Sequence, residues 1–287
     1  MDKLIDMHIH TTFSDGEYTP DVTIRKAIDK NIGIMSITDH DSIMGIKSVD
    51  KSLYPDIEIV NGIELSAKVP KGTMHILGYG IDLESEVLNN RIGELRLNSL
   101  RAVRSLIEQL YKDTNIRFNE ADLNELYAKT EYKNIGRPDV AKLCIKYGYT
   151  KTSPEAFRKY LNPAHEKTRA ASKGIPYEEC IDLIKKSGGI PVLAHPITLD
   201  MNRPEFIRTL EHMIVLGLGG IEVYHSLHDE LDANYYLNIA KEYGLLISGG
   251  SDYHGPIVKP GVELGTGYGN VKIKSLSLVD ELHKRAK

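Results

Sequence analysis

Nine residues with side chains that bind metal ions stand at, or beside, the ends of predicted strands. They are His8, His10, Asp15, His40, Glu64, His75, His195, Asp252 and His254, and they include six of the eleven histidines. Imidazole and carboxylate groups together suit zinc, manganese or iron. The convergence of these positions predicts a multinuclear metal centre that holds two to three divalent ions (Mn, Fe or Zn).

The first predicted strand shows how sequence spacing brings ligands together. Residues 4–10 have the pattern of a strand, and alternate side chains of a strand lie on one face. His8 and His10 therefore project together, with Asp6 on the same side. We expect Asp6 to orient a bound histidine rather than to bind metal itself. Asp15 follows from the loop after the strand.

The charge of such a centre favours an anionic substrate. Its three carboxylates contribute −3, whereas two or three divalent ions contribute +4 or +6 and the imidazoles bind as neutral ligands. The site is then positive or nearly neutral even with a bridging hydroxide, and it would attract a phosphate dianion. Metal binding also lowers the pKa of water from 15.7 toward about 7. We therefore expect a metal-bound hydroxide to attack phosphorus.

Short apolar strands alternate with amphipathic helices over most of the chain. Strands are predicted at 4–10, 34–38, 57–60, 73–79, 190–194, 220–224 and 245–248, and helices at 20–31, 43–49, 175–186, 204–216, 230–243 and 275–285. This rhythm is typical of a parallel α/β sheet or barrel, whose active site is built at the carboxyl ends of the strands. The pattern predicts a barrel of about seven β/α units.

The rhythm breaks between residues 83 and 172, where the sequence is rich in helical patterns. Helices are predicted at 85–112, 120–129, 138–147 and 154–161. Because the α/β pattern resumes afterwards, we interpret 83–172 as a helical insertion that caps the active site. The barrel domain is then discontinuous and comprises 1–82 and 173–287.

Composition and charge limit the class of protein. Hydrophobic residues make up 41% and charged residues 26%, which is ordinary for a soluble globular protein. There is no run of about 18 apolar residues, so no membrane span is expected. Neither an N-terminal leader nor a cysteine pair is recognisable, which favours a cytoplasmic location.

The net charge of −4 is unevenly distributed. Residues 129–174 contain eleven Lys and Arg against four Asp and Glu, a net of +7, so the remainder carries −11. A basic segment in an acidic protein suggests an anionic ligand, although a solvated helical surface would give the same excess. The acidic remainder argues against long nucleic acid as a stable partner.

Six motifs together resemble the polymerase and histidinol-phosphate phosphatase (PHP) family of metal-dependent phosphoesterases. They are Asp6-Met-His-Ile-His10 with Ser14-Asp-Gly16, Thr38-Asp-His-Asp41, Gly62-Ile-Glu64, the strand with His75, Ala194-His-Pro196, and Gly250-Ser-Asp-Tyr-His254. The resemblance implies a distorted seven-stranded β/α barrel and a trinuclear centre. It implies one ion on His8, His10, Glu64 and Asp252, a second on Glu64, His75 and His195, and a third on Asp15, His40 and His254.

Within this family, the insertion is similar to that of stand-alone phosphatases acting on nucleoside 3′,5′-bisphosphates. There a Gly-Arg-Pro segment binds phosphate, and Gly136-Arg137-Pro138 stands at that place. The resemblance implies that Arg137, with its planar fork, binds substrate. Arg169 and His228 are further candidates for phosphate contacts, with a solvated Arg169 as the alternative.

The sequence thus predicts an enzyme, a metal-dependent phosphoesterase with Glu64, Asp252 and His195 in catalytic roles. Its expected partner is a small phosphorylated substrate, namely a nucleoside 3′,5′-bisphosphate or a short 5′-phosphorylated RNA that loses its 3′-phosphate. One alternative is a cyclic phosphate or a small phosphomonoester such as histidinol phosphate. An alternative from another class is a metal-binding accessory domain without turnover.

Overall fold

Seven strands form a nearly closed barrel in which each strand neighbours the next one along the chain. The computed structural model describes residues 3–168 and 175–286. The strands are β1 (Leu4–Ile9), β2 (Ile32–Ile37), β3 (Glu58–Ala67), β4 (Met74–Tyr79), β5 (Ile190–Leu193), β6 (Gly220–His225) and β7 (Leu246–Gly250). The prediction of a seven-stranded α/β barrel is therefore confirmed.

Helices follow most strands and also form the segment between β4 and β5. They are α1 (Pro20–Asp29), α2 (Met44–Lys47), α3 (Glu86–Asp113), α4 (Glu120–Ala128), α5 (Arg137–Lys146), α6 (Ser153–Ala156), α7 (Asn162–Thr168), α8 (Tyr177–Lys186), α9 (Arg203–Leu216), α10 (Glu230–Tyr243) and α11 (Ser277–Arg285). A π-helical segment, Phe157–Leu161, connects α6 to α7. Helices α9 and α10 each begin with a capping box and end at a left-handed glycine, Gly217 and Gly244, which fixes where the following connections start.

Strand β4 runs against its neighbours, so the barrel departs at this strand from the parallel arrangement that the strand–helix rhythm indicates. It pairs antiparallel with both β3 and β5, whereas the other neighbouring pairs are parallel. The physical reason is the short connection 68–73 between β3 and β4, since a parallel return needs a crossover of a dozen or more residues. The start of β4 therefore lies at the edge where the parallel strands end.

Strand β3 is also longer than the sequence pattern indicated. The predicted strand ended at residue 60, but β3 continues to Ala67 and pairs with β4 over 62–67. Glu64 consequently lies inside a strand, where its N–H donates to the carbonyl oxygen of Asp39 at 3.3 Å and its carbonyl oxygen accepts from the N–H of Asp41 at 2.8 Å. A rigid strand position holds a ligand more accurately than a loop position.

An apolar core fills the barrel and is continuous with α11. Ile5 and Met7 of β1, Tyr79 of β4 and Val192 of β5 are buried in it together with Leu278. Tyr79 is fully buried, and its hydroxyl donates a hydrogen bond to the carbonyl oxygen of Met7 at 2.9 Å. Along β1 the two predicted ligands, His8 and His10, come after Ile5 and Met7, toward the carboxyl end of that strand.

The chain divides into two compact units, one of residues 1–89 and 175–287 and one of residues 90–174. The second unit has its own apolar core, in which Leu110, Val140 and Leu161 are fully buried. Its helices agree with the helix-rich pattern between residues 83 and 172, while a capping role for this unit stays a prediction. Among the described residues, no helix is both long and apolar enough to cross a membrane.

Candidate metal centre

Strand β1 supplies two imidazoles that face the same point. His8 and His10 are buried, and their Nε2 atoms lie 3.3 Å and 3.1 Å from Oε2 of Glu64. The same two atoms lie 3.6 Å and 3.2 Å from Oδ1 of Asp252. The alternation of the strand thus produces the pair that its sequence spacing predicted.

Glu64 is the central acid of the cluster. Its Oε2 also lies 3.0 Å from Nδ1 of His40, while its Oε1 lies 2.8 Å from Nδ1 of His75 and 3.0 Å from Nε2 of His195. The antiparallel direction of β4 brings His75, the second residue of that strand, to this edge. A single fully buried carboxylate therefore faces five imidazoles, which come from the end of β1, the loop after β2, the start of β4 and the turn after β5.

A further group forms around the loop after β1. His10, Asp15, His40 and His254 offer ligand atoms that all lie within 4.8 Å of one another. Oδ1 of Asp15 is 3.2 Å from Nε2 of His254 and 3.7 Å from Nδ1 of His10. Asp15 is the most exposed of these side chains, at 37%, which places this group nearest to solvent.

Hydrogen bonding within the cluster is incomplete, and this is what metal ions would remedy. Within residues 3–168 and 175–286, six buried ligand atoms have no hydrogen-bond partner. They are Nε2 of His8 and His10, Oδ1 of Asp15 and Asp252, Nδ1 of His40, and Oε2 of Glu64. An unpaired buried polar atom is costly. The donor set of neutral nitrogens and carboxylate oxygens fits divalent ions.

The groups at this site influence one another's protonation strongly. Burial lowers the pKa of His10, but the adjacent carboxylates of Asp252 and Glu64 outweigh it and raise that pKa to about 9. Burial lowers the pKa of His40 to about 3. For Glu64 and Asp252, the surrounding imidazoles overcome the effect of burial and hold the pKa well below the usual range. Both acids are therefore ready to act as anionic ligands.

Two of the predicted ligand residues have strained backbones. His195, two residues after β5, has φ of 23°, and Asp252, two residues after β7, has φ of 54°. Positive φ is uncommon outside glycine, and such residues cost of order 1 to 3 kcal/mol unless the surroundings compensate. The turns aim both side chains back over the carboxyl ends of the strands.

Two aspartates near the predicted ligands hold neighbouring segments in place. Asp39 accepts hydrogen bonds from the N–H and hydroxyl of Thr11 and from the hydroxyl of Ser14, and it thereby fixes the loop that carries Asp15. Asp41 accepts from the N–H of Ser66 at 2.9 Å.

Asp6 contacts the main chain around the cluster. This buried carboxylate accepts hydrogen bonds from Ser251, through its N–H and hydroxyl, and from the N–H of Gly265. It also accepts from the backbone N–H of His8 at 3.4 Å, so it acts on this histidine through the main chain. Asp6 therefore holds the segment next to Asp252, and the ring of His8 has a different partner.

That partner, Glu222 of β6, was missed by the sequence reasoning. Its Oε1 lies 2.9 Å from Nδ1 of His8, and its Oε2 accepts from the N–H of His195 at 2.7 Å. The charges of His8 and His225 overcome the effect of burial and lower the pKa of Glu222 to about 2. The available signal was one acid inside the apolar run Ile221-Glu-Val223. A buried carboxylate needs hydrogen-bond donors, so an acid at this position indicates a buried polar partner.

The three predicted substrate contacts come from different parts of the chain. His228 is buried, and its Nδ1–H donates to the carbonyl oxygen of Val223 at 2.8 Å while its ring packs against Tyr236. Arg137 is the first residue of α5, in the unit of residues 90–174. Arg169 lies outside the described residues.

Comparison with known proteins places this geometry in a family. A family model described as the PHP domain matches residues 6–187, which is more than half of the chain. The chain belongs to the PHP domain family. The PHP match begins at Asp6, next to the two histidines of β1, and includes β4 with His75.

Several curated relatives are similar to this PHP protein over most of their length. It is 29% identical to a 3′,5′-nucleoside bisphosphate phosphatase of Chromobacterium violaceum, over 88% of this chain and 87% of that protein. It is 27% identical to the 5′-3′ exoribonuclease Rnm of Salmonella typhimurium, over 91% and 88%. It is also 27% identical to a phosphoribosyl 1,2-cyclic phosphate 1,2-diphosphodiesterase of Eggerthella lenta, over 87% and 94%.

A solved structure also supports the assignment to the PHP family. A Bifidobacterium adolescentis protein predicted to be a metal-dependent phosphoesterase has a TM-score of 0.82 and 29% identity, and the match covers 99% of this chain and 96% of that one. The protein is therefore a metal-dependent phosphoesterase, a hydrolase of the PHP family. This sets aside the alternative of a binding domain without turnover.

Proposed function

We propose that this protein removes the 3′-phosphate from nucleoside 3′,5′-bisphosphates or from short 5′-phosphorylated RNA ends. The observation that supports phosphate-ester hydrolysis most directly is the cluster of buried, unpartnered ligand atoms around Glu64. The similarity to a bisphosphate phosphatase and to a 5′-3′ exoribonuclease supports this substrate class.

Nine residues would hold the ions. We assign one set to His8, His10 and Asp252. We assign a second to Glu64 with His75 and His195, and a third to Asp15, His40 and His254. The full set is His8, His10, Asp15, His40, Glu64, His75, His195, Asp252 and His254. When bound, divalent ions would lower the pKa of water toward neutrality and neutralise charge on the phosphoryl oxygens.

Three residues of the cluster would hold the ions and the phosphoryl group in a fixed arrangement. Glu64 and Asp252, as carboxylates of low pKa, stay anionic and keep the cluster assembled. His195 faces Glu64 from a backbone that is strained and fixed by Glu222. We propose catalytic roles for these three residues because they surround the point where a phosphoryl group would be held.

Arg137 is proposed to anchor the phosphate that stays on the product. Its half-buried guanidinium lies over the ring of Phe157 at 5.5 Å and donates a hydrogen bond to Oδ1 of Asn162 at 3.2 Å. Burial lowers its pKa, and no carboxylate in the described part of the chain forms an ion pair with it. A partly desolvated cation with donors to spare is suited to binding phosphate.

Two other residues complete the proposed substrate contacts. We propose that His228 contributes through Nε2, which is buried and has no hydrogen-bond partner within the described ranges. Because Nδ1–H donates to Val223, neutral His228 would accept a hydrogen bond, and only the protonated ring could donate to a phosphate. Arg169 is proposed as a second cation of the insertion on the basis of the sequence.

Hydrolysis of a cyclic phosphate or a small phosphomonoester is the alternative. The similarity to the Eggerthella diphosphodiesterase is the observation that favours it. A phosphoribosyl 1,2-cyclic phosphate also carries a second phosphate, on its ribosyl group, so this alternative keeps an anchoring role for Arg137. A simple phosphomonoester such as histidinol phosphate has no second phosphate and assigns Arg137 no such role.

Phosphate release by the manganese-loaded protein would decide between these substrates. We would compare adenosine 3′,5′-bisphosphate, its 5′-monophosphate, a ribose cyclic phosphate and histidinol phosphate at equal concentration. The proposal predicts that the bisphosphate is hydrolysed fastest and that adenosine 5′-monophosphate accumulates as product. Faster hydrolysis of the cyclic phosphate or of histidinol phosphate would contradict the proposed substrate and keep the phosphoesterase assignment.

A further inference from the structure

Strand β6 contributes no residue to the predicted ligand set, yet two of its side chains contact that set. Glu222 and His225 are fully buried, and both point to the ligands rather than away from the barrel. Together with His8 they bring three potential ligand atoms within 4.8 Å of one another. The question is whether these atoms bind metal or hold other ligands in place.

Hydrogen bonds already engage the relevant atoms of Glu222. One oxygen lies 2.9 Å from Nδ1 of His8, and the other accepts from the backbone N–H of His195 at 2.7 Å. The second bond fixes the backbone at a residue with φ of 23°. Glu222 thus sets the ring orientation of one ligand and the main-chain position of another. Its contact with Nδ1 leaves Nε2 of His8 as the atom that faces the cluster.

The tautomer of His225 follows from its two contacts. Its Nδ1 accepts a hydrogen bond from the N–H of Leu227 at 3.0 Å, so that nitrogen carries no proton. The proton is then on Nε2, which lies 3.2 Å from Oδ2 of Asp252 and donates to it. Neither nitrogen has a lone pair directed at the cluster, which argues against metal binding by His225.

Asp252 is left with one oxygen for metal. Oδ2 receives the hydrogen bond from His225 and is also in contact with Nζ of Lys259. Oδ1 has no hydrogen-bond partner in the parts of the chain that the structure describes, and it lies 3.2 Å from Nε2 of His10 and 3.3 Å from Nδ1 of His254. The two oxygens of this carboxylate therefore have different surroundings.

We propose that Glu222 and His225 are positioning residues of the metal centre. Glu222 acts through His8 and His195, and His225 acts through Asp252, which binds metal by Oδ1 alone. The inference rests on the proposed metal centre. It goes further in assigning β6 the role of orienting ligands for two of the ion sites, while the site of Asp15, His40 and His254 is independent of both residues.

Manganese binding by purified full-length variants tests this role without relying on activity. Free Mn²⁺ is measured by electron paramagnetic resonance during titration of the metal-free protein. Outer hydrogen-bond partners of metal ligands contribute about 10- to 100-fold in affinity. In Glu222→Gln, the amide can accept one of the two hydrogen bonds but presents N–H to the other donor. We expect the site of His8 and the site of His195 to weaken by that factor and the site with Asp15 to keep its affinity.

His225 provides a second, independent pair of variants. His225→Phe keeps a ring but loses the donor to Asp252, whereas His225→Gln keeps an N–H donor. We expect weaker Mn²⁺ binding in the first and recovery toward wild type in the second. Glu58→Gln is the matched control, because Glu58 pairs with His283 at 2.9 Å on the exposed part of the barrel unit. The melting temperature of each metal-free variant reports any loss of folding.

The outcomes separate this inference from the proposed function. Wild-type protein that binds no Mn²⁺ would overturn the metal centre itself. Wild-type binding that Glu222→Gln and His225→Phe leave unchanged would overturn the positioning role alone. Equal weakening of all sites, including that of Asp15, or equal weakening by Glu58→Gln, would also overturn it.

Discussion

Replacing Glu64 with Gln is expected to abolish phosphate release, with a loss of about 10³-fold or more. Glu64 is fully buried and faces five imidazoles through its two oxygens. The amide has no negative charge, and its NH₂ group cannot bind a cation. Metal ions supply several kcal/mol of transition-state stabilisation, and each 1.36 kcal/mol is a factor of ten in rate.

Metal content and initial rates measured on the same preparation would check this prediction. Glu58→Gln is the matched control, since Glu58 lies on the same strand but pairs with the exposed His283. We expect that control to retain wild-type metal content and rate. A Glu64→Gln protein that binds a full complement of manganese and retains most of its activity would show that the cluster is organised around another residue.

Replacing Arg137 with Ala is expected to raise KM for a bisphosphate selectively. A hydrogen bond to a charged group contributes about 1.5–3 kcal/mol, so the expected increase is about 10- to 100-fold. Because Arg137 is proposed to contact the phosphate that is not hydrolysed, KM for a simple phosphomonoester should be nearly unchanged. Steady-state kinetics with both substrates measures the difference.

A second arginine of the same unit offers a suitable control. Arg101 is exposed on α3 and donates to Oδ1 of Asn98 at 3.3 Å, which resembles the bond from Arg137 to Asn162 at 3.2 Å. Arg101→Ala should leave both KM values unchanged. An equal rise of KM for the bisphosphate and the monoester in Arg137→Ala would reject the anchoring role.

The candidate ligands could be predicted because short sequence patterns, namely strand spacing and apolar runs, determine where their side chains lie. His8 and His10 are two residues apart in a strand, and that spacing alone places both rings on one face. His195 and His254 follow apolar runs, which become strands that end at a common edge. The structure brings all nine predicted side chains to that edge, although the metal-binding role of each stays a prediction.

The direction of β4 and the length of β3 were harder to predict. An apolar strand pattern carries no information about strand direction. The sequence therefore placed His75 near the start of a strand but did not show at which edge of the barrel that start lies. The six-residue connection before β4 contained that information, because it is too short for a parallel crossover. Residues 61–67 include Asn61, Glu64 and Ser66, and these polar residues masked the continuation of β3.

The roles of Glu222, His225 and Lys259 depend on contacts that no local pattern encodes. Glu222 and His8 are separated by 214 positions in the chain, and their pairing follows only from the closure of the barrel. The different surroundings of the two oxygens of Asp252 likewise depend on contacts with His225 of β6 and with Lys259. Sequence spacing identifies candidate metal ligands, whereas tertiary packing determines how their side chains are oriented.

The central claim is that phosphate-ester hydrolysis depends on metal held by this cluster. The most direct measurement titrates manganese into metal-free protein and follows bound metal and phosphate release from adenosine 3′,5′-bisphosphate together. We predict no release without metal and a rise in rate that follows the filling of the sites. Release at full rate by the metal-free protein, or filled sites without release from any phosphate ester, would contradict the account.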